Sequence, residues 1–172
     1  MKTLKNSCVI LLVCLMSSVY AIAQQQNKKK GETNMNRVAT VVFVCEHGSA
    51  KSVVAAAHFN KLARKKNLKI RAVSRATNPD EEIPANVANG LKADGLTAGE
   101  PKPKKLSQSD LAKAARVVTF CELPEDYSPN GAVEDWSDVP PISENYGKSR
   151  DEIVIRLKRL LDDLKPKKIQ ED

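Results

Sequence analysis

Aromatic residues are scarce in this sequence, 4% of 172 residues with a single Trp. Four Cys are too few for a disulfide scaffold, and nine Pro with seven Gly are too few for a low-complexity or collagen-like chain. There is no zinc-finger spacing, no RNA-binding aromatic signature and no long basic helix, so nucleic acid is not an expected partner. No internal repeat is found, which excludes solenoids and propellers. Only one long apolar run occurs, at the N-terminus. What remains is 41% hydrophobic residues with 28 Lys plus Arg against 21 Asp plus Glu, an ordinary, mildly basic globular composition. The basic excess lies in short clusters such as Lys28 to Lys30 and Lys102 with Lys104 and Lys105. These read as solvated surface whose positive field favours an anionic ligand.

The N-terminal run has the layout of a secretory signal peptide. Lys2 and Lys5 precede the apolar CVILLVCLMSSVY, and Ala21-Ile22-Ala23 places small residues where a signal peptidase reads. Cleavage after Ala23 leaves a basic chain with no stable membrane span, expected to be exported to the periplasm or secreted. Residues 24–37, beginning QQQNKKKGETNMN, lack apolar periodicity and read as a flexible polar leader. Residues 38–165 form the expected domain, and 166–172 a tail.

Within the domain, strand and helix patterns alternate. ATVVFVC at 39–45 is a β-branched run suited to a strand buried on both faces. A short loop leads to a helix over 52–66, where Ala55, Phe59, Leu62 and Ala63 recur at helical spacing. A second strand is expected over 69–74, a helix over 83–95 with Pro84 near its start and Gly95 past its end, and a short helix over 106–114. ARVVTFC at 115–121 repeats the buried-strand signature, and AVEDW is a fourth strand. The final helix, 149–164, shows a stripe of Ile153, Leu157, Leu160, Leu161 and Leu164, a capping box of Ser149 with Glu152, and a stop at Pro166. This alternation predicts an α/β fold, a three-layer α/β/α sandwich on a parallel sheet. Ligands bind such sheets beyond the carboxyl ends of the strands.

Cys45 and Cys121 end the two strongest strand patterns, so both fall on that edge. Neighbouring strand axes lie about 4.8 Å apart, within reach of the roughly 4.4 to 6.8 Å that a disulfide requires between Cα atoms. After Cys45 comes EHGSAKS: a thiol, five residues, the cation Lys51 and the hydroxyl of Ser52, directly before a helix N-terminus. Such a loop wraps its amides around a tetrahedral anion. Gly48, Ser49 and Ala50 allow close backbone approach, and the helix end favours a thiolate over a thiol. Cys45 is thus the candidate nucleophile, with Ser52 donating to the sulfur as charge leaves it. The loop residues Glu46, His47, Gly48, Ser49, Ala50 and Lys51 are the candidate oxyanion binders.

Strand, Cys-x5-basic-Ser loop and helix, together with the VVTFC strand and WSDVPP before the last helix, resemble the low-molecular-weight protein tyrosine phosphatases and the related thioredoxin-coupled arsenate reductases. The likeness covers about residues 38 to 165. It implies a four-stranded parallel sheet with the first and third strands adjacent, bringing Cys121 beside the cradle, and Asp138 as general acid. The chain departs from the family pattern in having Lys51 for Arg, Gly48 for Asn, Ala50 for a second loop cysteine, and Ser128 near the place of the later resolving cysteine. Glu46 and His47 occupy positions that are usually uncharged. Asp138 is followed by Val139 rather than directly by Pro, and Asp135 competes for its role.

Three functions follow as expectations. In the first, Cys45 attacks a phosphomonoester and Asp138 protonates the leaving oxygen. The second is arsenate reduction through Cys45 and Cys121, with a thiol reductant as partner. The third is noncatalytic binding of an oxyanion, or of a metal through Cys45, His47 and Cys121. The two enzymatic readings need no cofactor.

Overall fold

The computed structural model describes residues 38–165. The expected signal peptide, leader and tail lie outside the described residues. Among the described residues, no helix is long and apolar enough to cross a membrane.

Four parallel strands form one sheet: β1 (Ala39–Cys45), β2 (Ile70–Ala76), β3 (Arg116–Thr119) and β4 (Val133–Asp135), in the order β2-β1-β3-β4. Four helices connect and cover them: α1 (Lys51–Lys65), α2 (Ala85–Ala93), α3 (Gln108–Lys113) and α4 (Tyr146–Asp163). The chain leaves β1 for β2 on one side and returns to β3 on the other. The direction of winding therefore reverses between β1 and β3, and such a reversal opens a crevice at the carboxyl ends of the strands.

β1 is central because both its faces are apolar. Val41, Phe43 and Cys45 pack with Phe59, Ile153 and Leu157 on one side, whereas Val42 and Val44 pack with Leu106, Leu111 and Val117 on the other. These are the three expected layers, and each fully buried side chain of this kind contributes about 2 kcal/mol by leaving water. The three Phe and the single Trp gather in one place. Phe43 lies 5.9 Å from both Phe59 and Trp136 and 6.4 Å from Phe120, ring centre to ring centre, just beneath the carboxyl edge of β1.

Element ends shift by a residue or two from the expected ones, with one instructive error. Ser149 does not cap α4. The helix starts a turn earlier, where Asn145 accepts the Lys148 amide at 2.9 Å. Ser149 is fully buried inside the helix and donates its hydroxyl to the carbonyls of Asn145 and Pro141, while Glu152 pairs with Arg156. A Ser-x-x-Glu pattern fits a helix interior equally well, because serine can bond back to the carbonyl four residues earlier. The capping box that forms is Ser107 with Asp110, at the start of α3.

Candidate active site

β1 delivers Cys45 to the carboxyl edge of the sheet, and α1 begins six residues later at Lys51. The intervening loop points its carbonyls outward. Those of Cys45, Glu46 and His47 accept the amides of Thr77, Asn78 and Asp80 at 3.3, 2.8 and 3.1 Å. In the turns and loops of the described residues, no amide from Glu46 to Val53 donates to a backbone carbonyl. Ala50, at the N-cap of α1, has no side-chain acceptor to offer either. The first amides of a helix lack partners within it, so donors converge here with no internal acceptor. This is the polarity an oxyanion cradle requires.

Gly48 makes the turn possible. Its φ is +63°, and a Cβ there would stand 2.6 Å from the Cβ of Ala76. An Asn at this position would meet that contact in addition to the cost of left-handed backbone.

A cavity of about 340 Å³ opens over the loop. Cys45, Glu46, His47, Ser49, Ala50 and Lys51 line it from below, with Cys121 and Phe120 on the β3 side. Pro84, Asn86 and Val87 form one wall, and Pro141 to Ser143 another. The Cys45 sulfur is 3.0 Å from the buried Ser52 hydroxyl, a bond in which Ser52 donates when sulfur carries the charge. Lys51 Nζ donates to the carbonyl of Val139 at 3.2 Å and sits 5.6 Å from the centre of the Phe120 ring. Its charge thus stays at the rim of the cavity.

Cys121 reaches the same cavity, because β1 and β3 are neighbours in the sheet. Burial first, and the nearby Cys45 second, push its thiol up to about 11. It is therefore a thiol at neutral pH. Cys121 also lines a second cavity, of about 480 Å³, with Thr119 and Asp135.

The structure does not bring Asp138 to the cavity. Its carboxylate is 68% exposed and both oxygens are held by Arg156, at 2.8 and 2.7 Å. The Arg156 hydrogen bonds hold the Asp138 carboxyl below the usual range, which is the opposite of what a proton donor needs. The competitor Asp135 borders the second cavity and accepts the Ser137 amide at 2.8 Å. Among the described residues, no group of three or more His, Cys, Asp or Glu side chains is placed to hold a metal ion.

One residue of the site went unread in the sequence. Asp80, in the loop after β2, accepts the Ser49 hydroxyl at 2.5 Å and stands 3.2 Å from His47 Nδ1. The available signal was topological: in a parallel sheet, the loop after every strand faces the same edge.

Residues 40–153 match the family model described as low molecular weight phosphotyrosine protein phosphatase. The chain belongs to that family, whose members among the similar structures are phosphatases and arsenate reductases. An arsenate reductase from Archaeoglobus fulgidus is 29% identical, with a TM-score of 0.53, 71% of this chain and 98% of that one being covered. A low molecular weight protein tyrosine phosphatase from T. tengcongensis is 21% identical over 73% of this chain and 99% of its own, with a TM-score of 0.59. YfkJ from Bacillus subtilis is 19% identical over 74% and 95%, with a TM-score of 0.65. No curated protein matches. The four-stranded parallel sheet, with its anion-binding type of loop after the first strand, is that of these structures.

Proposed function

We propose that the protein is an exported phosphomonoesterase that works through a phosphocysteine. Cys45 attacks phosphorus, the amides from Glu46 to Lys51 and the Lys51 ammonium hold the equatorial oxygens, and Ser52 donates to the sulfur when it leaves. The observation that carries this reading is the pairing of Cys45 with Ser52 at 3.0 Å on the floor of a cavity whose loop amides have no internal acceptor. Export rests on the signal-peptide pattern of residues 1–23. Lys51 supplies a compact charge rather than the planar fork of Arg, so turnover is expected to be slower than an Arg would give.

Arsenate reduction is the second reading, supported by Cys121 on the wall of the same cavity. In it Cys121 attacks the Cys45 sulfur and releases reduced arsenic, and a thiol reductant reduces the resulting Cys45–Cys121 disulfide to restore both thiols. The raised Cys121 thiol, with Ser128 where a third thiol would help, weighs against this order of preference being reversed. The test is purified chain given an aryl phosphate or arsenate. Phosphate release that Cys45→Ser abolishes and Cys121→Ser retains supports the phosphatase. One arsenite per chain, lost in Cys121→Ser, with no ester hydrolysis, replaces it with the reductase.

A further inference from the structure

With Asp138 tied to Arg156, ester cleavage in this cavity has no acid from the loop where the family resemblance places one. The cavity's own titratable lining is Cys45, Glu46, His47, Lys51 and Cys121. Two of these are thiols, one of them the nucleophile. Lysine ordinarily gives up its proton only far above neutral pH, and the Lys51 ammonium is already donating to Val139. Glu46 and His47 remain. Of the two, only histidine has an ordinary range that lets it both give and take a proton near neutral pH.

His47 is also the one that is oriented. Asp80 Oδ1 lies 3.2 Å from its Nδ1, and Asp80 Oδ2 is fixed in turn by the Ser49 hydroxyl at 2.5 Å. The Asp80 amide donates to the His47 carbonyl at 3.1 Å, so backbone and side chain are held by the same residue. A carboxylate 3.2 Å from Nδ1, as an ion-pair contact, favours hydrogen on that nitrogen and leaves Nε2 as the candidate working nitrogen. The exposed Glu46 carboxylate lies 3.9 Å from Nε2. The imidazole is half exposed and lines the cavity, two residues along the chain from the nucleophile.

We propose that His47, oriented by Asp80, is the general acid and base of the reaction, an inference that rests on the phosphomonoesterase reading. In the first half, the sulfur–phosphorus bond forms as the bond to the ester oxygen breaks, and the Nε2 proton passes to that oxygen. In the second, Nε2 takes a proton from the water whose oxygen displaces sulfur, releasing inorganic phosphate and returning the thiolate and the protonated imidazole. Asp80 is a positioning residue; His47 is the catalytic one.

The test uses leaving groups that differ in their need for a proton. Phenolate requires protonation to leave well, with a pKa of about 10 like tyrosine, whereas p-nitrophenolate is stable as an anion. His47→Gln, Asp138→Asn and Cys45→Ser chains are assayed on phenyl phosphate and p-nitrophenyl phosphate. Loss of the general acid is expected to slow the first-turnover release of phenol by His47→Gln roughly 100-fold, while the first-turnover release of nitrophenol, which needs no acid and also reports that the variant is folded, is slowed far less; loss of the base then slows later turnovers of both esters alike. An equal loss in the first turnover of both esters overturns the proposal. So does a selective loss in Asp138→Asn, which would return the role to the loop carboxylate. If the unmodified chain releases no more phosphate than Cys45→Ser, the phosphomonoesterase reading itself falls and this inference with it.

Discussion

The two histidines of this chain each face an aspartate at the same distance, 3.2 Å, yet the surroundings give the two pairs opposite uses. His47, which lines the cavity, and Asp80 beside it are 53% and 41% exposed. His58 and Asp94 are packed between α1, the end of α2 and α4, at 9% and 15%. Asp94 accepts from the Tyr146 hydroxyl at 2.8 Å and from Arg150, and Lys61 donates to its backbone carbonyl at 2.9 Å. Burial pushes the Asp94 carboxyl up, but Tyr146, Arg150 and His58 together outweigh it and hold the group below its ordinary value. Burial is likewise the leading cause that lowers His58, against the pull of Asp94. The inner pair is a clasp between helices. The outer pair lies exposed beside the nucleophile's loop, where in the proposed mechanism the same two residue types move a proton instead of holding elements together.

This contrast can be tested by removing one aspartate at a time. Asp94→Ala leaves Arg150, the Tyr146 hydroxyl and His58 without their shared acceptor, and should cost about 3 kcal/mol in denaturant unfolding. Residual phosphatase activity per folded molecule should stay near normal. A loss below 1 kcal/mol would show that the inner cluster is no clasp. Asp80→Asn should do the reverse. It keeps an acceptor for Ser49 but misorients the imidazole, lowering the rate on phenyl phosphate about tenfold with less than about 1 kcal/mol of stability lost, as for other exposed pairs. Unfolding of Asp80→Asn with its rate unchanged would invert the comparison.

Tyr146→Phe deletes a single donor to Asp94 and should destabilise by about 1 kcal/mol, measured by the same unfolding curves. The smallest effect is in pH dependence. His58 ionises less readily in the folded chain than at its ordinary value of 6.5, so the unfolded chain takes up its proton first as pH falls. Stability from this residue is therefore full above pH 6.5 and declines below it, toward the folded value. Asp94 adds a second loss only below its ordinary value of 3.8. Melting temperatures between pH 7 and 5 should fall less steeply in His58→Gln than in the unmodified chain.

Much of the molecule is legible without coordinates because the relevant signals are local. ATVVFVC reads as a doubly buried strand and becomes the second of four strands in the sheet, with Val41 to Cys45 all buried. EHGSAKS reads as an anion loop because donors, small residues and a helix start are consecutive. Cys121 beside the cradle was implied by the family resemblance, and the β1–β3 adjacency places it there. What was not legible is which partners the carboxylates, the hydroxyls and Lys51 take. Asp138 is claimed by Arg156, 18 residues away, through a bidentate pair no loop motif encodes. Asp80 meets Ser49 across 31 residues, and Lys51 reaches Val139 across 88. Ser149 matches a capping pattern but lies a turn inside α4.

Order along the chain was sufficient to specify the strands, the helices and the loop that joins β1 to α1, since hydrophobic period and turn chemistry act over a few residues. Which charge each charged group answers to was settled by folding alone. Ionic and hydrogen-bond partners act through space and depend on burial, so two His–Asp pairs with the same chemistry became a helix clasp in the interior and a candidate proton carrier at the surface.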